Sequence, residues 1–395
     1  MIQTASASDS TRPAPRRARR TGFPLLITIL AVMAAAPASP AGAEQASSYS
    51  RAFLEGRIDS GGGHTCAVLG DGTVRCWGNN AFGQLGYGNT ESIGDDESPA
   101  TAGPVDLGGH RAIAVSVGGV HSCALLDDGS VRCWGYNAYG QLGYANTENV
   151  GDNETPGSVG PVNLGAGRRA TAISAGGMHT CALLDNGNVK CWGRGLLGQL
   201  GYGNTENIGD NETPAAAGAV NLGGRSAVAI SAGAGHTCAI LDDGTVRCWG
   251  YNENGQLGYA STNIIGDNET PAAAGAVNLG GRSAVAISAG GMHTCALLDN
   301  GTVRCWGFNA WGQLGYGNTT QIGDNETPAA AGPVELGGRS AVAISAGVYH
   351  TCALLDDGTV RCWGRGESGV LGYGNTSNIG DNETPGSVGT VNLGR

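Results

Sequence analysis

The chain is short of charge, and what it carries is of the wrong sign for nucleic acid: 14% of its 395 residues are charged, with 22 Lys and Arg against 33 Asp and Glu. Binding a phosphate backbone needs clustered basic side chains that displace counterions, so no nucleic-acid partner is expected. Basic protein patches or cations suit such a field better. Long apolar runs are also lacking. The longest, "FPLLITILAVMAAA" at 23–36, falls short of the roughly 20 residues that span a bilayer. There is no Cys-x2-Cys pair, which argues against a structural zinc knuckle, and no Asp-x-Asp-x-Asp-Gly calcium loop. No linker divides the chain after residue 57, which argues against two separate domains.

The N-terminus differs from the rest. "RPAPRRARR", the apolar run and Ala41-Gly42-Ala43 before Glu44 read as a secretory signal peptide over 1–43, followed by a short leader at 44–56. Arg19-Arg20 with Phe23 hints at twin-arginine export. Cleavage removes five arginines and one aspartate, leaving 17 basic against 32 acidic residues, a formal charge of −15. The expected location is outside the cytoplasm, secreted or in the cell envelope, with no stable membrane span after cleavage.

What is abundant is repetition. His64, His121, His179, His236, His293 and His350 each stand two residues before a cysteine and recur every 57 or 58 residues; only His110 escapes the rule. That period is too long for one solenoid coil and fits a propeller blade. In the fourth copy "SAVAISAG", "HTCAILD", "GTVRCWG" and "AVNLGG" each have strand length and period-two patterning. Asp-Asp-Gly between the second and third is the sequence of a type I turn closed by a left-handed glycine.

That turn fixes register. Leu126 faces Ser130, and counting outward sets Cys123 opposite Cys133 as a non-hydrogen-bonded pair, close enough to bridge. The same count pairs Cys66 with Cys76, Cys181 with Cys191, Cys238 with Cys248, Cys295 with Cys305 and Cys352 with Cys362. An exported chain with an even cysteine count favours six disulfides. Zinc is the competitor, but His-x-Cys with the facing cysteine supplies only three ligands. A histidine present in every unit is expected to be a packing post and the Trp after the second cysteine blade core, so the chain is not expected to be an enzyme.

"HTCALLDDGTVRCWG" together with "NAYGQLGYANT" resembles the RCC1 repeat, and the likeness extends over all six units. The resemblance implies an all-β propeller of RCC1-like repeats over 57–395, four antiparallel strands per blade. Relatives usually have seven blades; six, closed by a blade shared between the termini, is favoured here, with seven blades or a gapped ring as alternatives. It also implies a binding platform. Eukaryotic members include a nucleotide-exchange factor for a nuclear GTPase, and bacterial members a secreted β-lactamase inhibitor. The export signal and near-identical copies point to the bacterial secreted type, and exchange activity is not carried over.

A single partner is best recognised where the copies differ. The varying loop positions Phe82, Tyr136, Tyr139, Arg194, Leu197, Tyr251, Phe308, Trp311, Tyr349 and Arg365 are expected on one face, with the aromatic and arginine content of interface hot spots. The expected function is an extracytoplasmic protein-binding scaffold with an unidentified protein partner. The alternative is one calcium or glycan per repeat, calcium being held by the Asp-Asn-Glu loops through residues such as Asp210, Glu212, Asp324 and Glu326. No other cofactor is expected.

Overall fold

The computed structural model describes residues 57–394. The signal peptide read at 1–43 and the leader at 44–56 lie outside the described residues. Six three-stranded antiparallel sheets follow one another along the chain, one per repeat. In blade four the inner strand is Ala227–Ala232, the middle strand His236–Leu241 and the outer strand Val246–Gly250. The middle strand is buried at every position. Its sequence, HTCAIL, does not alternate because the blades on either side cover both faces of the sheet.

The hairpin turn forms as its residues dictate. Gly129 takes φ 79°, Gly129 N–H donates to the Leu126 carbonyl and Leu126 N–H to the Ser130 carbonyl. The Ser130 N–H is held by Asp128 Oδ1 at 2.9 Å. Cys123 then stands opposite Cys133. All six expected pairs are disulfide-bonded, with Cα atoms 4.0–4.1 Å apart.

Among the described residues the expected fourth strand is not formed; each sheet has three. The free edge of the outer strand is completed by three unrelated groups instead, as blade five illustrates. Val334 N–H donates to the Val303 carbonyl. The Tyr316 hydroxyl accepts the Cys305 N–H at 3.2 Å and donates to the Cys305 carbonyl at 3.1 Å. Gly307 pairs with Ile322. The segment expected to be a strand gives its next carbonyl to the following blade, since Ala329 N–H donates to Asn278 in blade four. A strand needs successive backbone groups facing one partner, and here they are shared out.

Inner strands of successive blades touch from blade one to blade six. Each joint carries the same knot. His64 Nε2 lies 2.8 Å from Ser122 Oγ, and His121, His179, His236 and His293 repeat this with Thr180, Thr237, Thr294 and Thr351 at 2.8–2.9 Å. Each hydroxyl donates to a glutamine carbonyl of the preceding blade, Gln84 in the first joint and Gln313 in the last. With its proton committed there, the hydroxyl accepts from the imidazole, which fixes the Nε2–H tautomer. The Trp134, Trp249 and Trp306 indoles donate to those same carbonyls.

Among the described residues there are five such joints, not six. Thr65 has its hydroxyl on Ser60 of its own blade, and among the described residues no hydroxyl meets His350. Leu354 is 39% exposed where Leu297 is 2%, and Val370, standing where other blades have glutamine, is 47% exposed. Six blades therefore leave a seam between the last and the first, the gapped-ring alternative. Each blade is one continuous stretch, so none is shared between the termini.

Candidate partner-binding face

The loop after each Trp-Gly is anchored by its recurring polar residues. Asn80 is fully buried; its Oδ1 accepts the Leu85 N–H and its amide donates to the carbonyls of Asn89 and Glu91, all at 2.9 Å. Gln84 Oε1 accepts the Phe82 N–H at 2.9 Å. These bonds immobilise the frame and leave Phe82 and its counterparts projecting. The loop's length is explained by the neighbouring blade. A Cβ on Gly83 (φ 76°) would stand 2.3 Å from Asp152 N, so the Asp-Asn-Glu turn of each of blades two to six rests on the glycine of the blade before it.

Eight of the ten expected residues assemble into two clusters. Phe82 and Tyr136 have ring centroids 4.9 Å apart and Tyr136 and Tyr139 6.3 Å, with the Arg194 guanidinium 5.3 Å over the Tyr139 ring. On the other side Phe308 meets Trp311 at 5.3 Å and Trp311 meets Tyr349 at 4.5 Å. Arg365 lies 5.1 Å over Trp311 and 5.8 Å over Tyr349, and is ion-paired with Glu367. A guanidinium stacked on a ring keeps its edge donors free for a carboxylate. Trp311 follows an outer strand and Tyr349 precedes a middle strand, so their contact places both loop types on one face. Leu197 and Tyr251 stand outside the clusters; Tyr251 O–H donates to Glu253 at 2.6 Å, a bond that, with burial, raises its pKa.

A cavity of about 340 Å³ opens beside Tyr139 and Arg194, lined also by Leu196, Glu206 and Asp210. Burial first and the charge of Asp210 second raise the pKa of Glu212, and Glu326 is raised in the same way beside Asp324. Each Asp-Asn-Glu turn thus brings two carboxylates together. Groups of three ligand-bearing side chains occur among the described residues at His110, Asp127 and Asp128 and, in the blade-one counterpart of that turn, at Asp95, Asp96 and Glu97.

The His–hydroxyl pairs have the spacing of a nucleophile and its base, but both members are sealed inside a joint. His121, His179 and His293 are pushed down to about 3, and His64 and His236 to about 4, by burial. Among the described residues the Nδ1 atoms of His121, His179, His236 and His293 have no partner, so an added proton there would face no acceptor. The tyrosine hydroxyls on the cysteine backbone were not legible in the sequence as anything but part of the loop motif.

Family models of the regulator of chromosome condensation (RCC1) repeat match this chain at 57–84, 112–141, 170–199, 227–256, 284–313 and 341–370, and in a second register over five spans from 71 to 354. The Arabidopsis thaliana ultraviolet-B receptor UVR8 is 33% identical over 80% of this chain and 67% of its own length. The human E3 ubiquitin-protein ligase HERC2 is 30% identical over 79% of this chain, which spans only 6% of that protein. Among solved structures, human WBSCR16 superposes with a TM-score of 0.66 at 24% identity, covering 86% of this chain and 83% of the other. Yeast RCC1 (Prp20) in complex with Kap60 gives 0.66 at 20% identity, covering 85% and 74%. Both structures support the fold alone. No helix among the described residues is long and apolar enough to cross a membrane.

Proposed function

Since the chain belongs to the RCC1 repeat family, we propose that it is an extracytoplasmic protein-interaction scaffold that captures one protein partner on its loop face, without a catalytic step. The observation that carries this reading is the pair of arginine-capped aromatic clusters, built from the positions where otherwise repeating units differ. Buried aromatic and arginine anchors dominate binding energy at protein interfaces. In support, a propeller of the same fold binds proteins: yeast RCC1 (Prp20) is seen bound to Kap60 and has binding properties toward Gsp1p and histones. Export rests on residues 1–43 and on the six disulfides, which an oxidising compartment maintains; nucleotide exchange on a nuclear GTPase is not transferred to such a chain.

Trp311→Ala and Tyr139→Ala are expected to weaken capture of the partner from culture supernatant at least tenfold, about 1.4 kcal/mol or more, while the melting temperature stays within about 2 °C of the parent. Equal loss of stability and capture would make these residues core. The paired carboxylates of the Asp-Asn-Glu turns favour one second reading, a divalent cation per repeat. Calorimetry separates the two: one asymmetric site for a protein partner, several equivalent sites for calcium.

A further inference from the structure

We propose that the Cys352–Cys362 disulfide is a site of thiol–disulfide exchange, the one rung of six that a thiol reaches in the folded protein. The other ten cysteines are 0% exposed. Cys362 is 6% exposed and Cys352 is only partly buried.

The joints explain the difference. In four other blades the sulfur of the middle-strand cysteine faces the hydroxyl of the next blade: Cys66 to Ser122 at 3.6 Å, Cys123 to Thr180 at 3.9 Å, and Cys181 and Cys295 to Thr237 and Thr351 at 3.8 Å. The sulfur therefore points out of the sheet toward its neighbour and is roofed by it. Blade six makes the same hairpin, with Cys352 opposite Cys362, but among the described residues no hydroxyl of another blade faces its sulfur. Its sulfur faces the seam, on the same face of the strand as Leu354, which is 39% exposed. What shields a disulfide from exchange is the lack of a path for the attacking sulfur, and here the path is open.

The co-reactant is a thiol, small or carried by a partner. Its thiolate bonds to Cys352 Sγ, the bond to Cys362 breaks, and the electron pair leaves on Cys362 Sγ, which takes a proton from water. A second thiolate attacks the thiol's sulfur in the mixed disulfide and releases Cys352. The chain gains two electrons and two protons, and two thiols become one disulfide.

The test uses the intact native protein. It is exposed to reduced glutathione at neutral pH, sampled with time into iodoacetamide, and peptide-mapped. Cys352 and Cys362 should be alkylated about tenfold or more faster than any other pair, with the near-ultraviolet circular dichroism unchanged at half-labelling. Simultaneous labelling of all six pairs, another pair reacting first, or labelling that follows loss of the dichroism signal overturns the proposal. The double variant Cys352→Ser with Cys362→Ser should lose the fast phase alone; a fast phase that persists also overturns it.

Discussion

At the scale of single residues, the histidines and tyrosines act through where their polar atoms are held. Unfolded imidazoles titrate near 6.5, whereas five of these stay neutral down to about 4 or 3 in the fold. Between those values the unfolded chain binds more protons, so stability is intact above pH 6.5 and falls on acidification toward pH 4. Each histidine contributes a slope of about 1.4 kcal/mol per pH unit. Urea unfolding at a series of pH values should show stability dropping steeply below pH 6; a flat profile from 7 to 5 would contradict the neutral, buried state of these imidazoles. Tyr316, pushed up to about 12 by burial, should be equally exacting. Tyr316→Phe leaves the Cys305 N–H and carbonyl unpaired and is expected to cost roughly 1–3 kcal/mol in denaturant unfolding. That a histidine recurring in every unit is architectural can be read from repetition alone. Which hydroxyl receives it cannot, because the partner lies 58 or 59 residues away.

At the scale of elements, the hairpin was the most legible part. Turn chemistry and pleat parity are local, so Asp-Asp-Gly fixes which cysteines meet. The outer edge was not legible. "AVNLGG" has strand patterning, but the competing claims of a tyrosine hydroxyl, an isoleucine bridge and the adjacent blade are set by tertiary contacts. The long loop is likewise a joint as much as a loop. Gly83→Ala puts a methyl group against Asp152 N in a left-handed conformation, and is expected to lower stability by about 2 kcal/mol or more in thermal or urea unfolding. The same substitution at Gly103, where an added Cβ meets nothing within 4 Å, should cost less, only the backbone strain of its positive φ.

At the scale of the whole molecule, six blades follow from counting repeats, and the fate of the ring does not, because closure depends on curvature summed over all the joints. The clustering of Phe82, Tyr136 and Tyr139 was anticipated as a shared face but not as two separate arginine-capped groups, since spacing along the chain carries no distance across the ring. In arrays of this kind stability is a sum of unit and nearest-neighbour contributions. Blade four has two neighbours and blade six has one. Amide hydrogen exchange in His350–Leu355 should therefore be faster than in His236–Leu241 by tenfold or more; equal protection would mean that something covers blade six in solution.

A hoop must be cut before it can be unrolled, whereas a bracelet left unclasped can be drawn open from either end. Five knots among six blades make this protein the second kind of object: its outermost links can loosen and return while the middle stays fastened. Damage or reduction at one extremity then need not propagate inward.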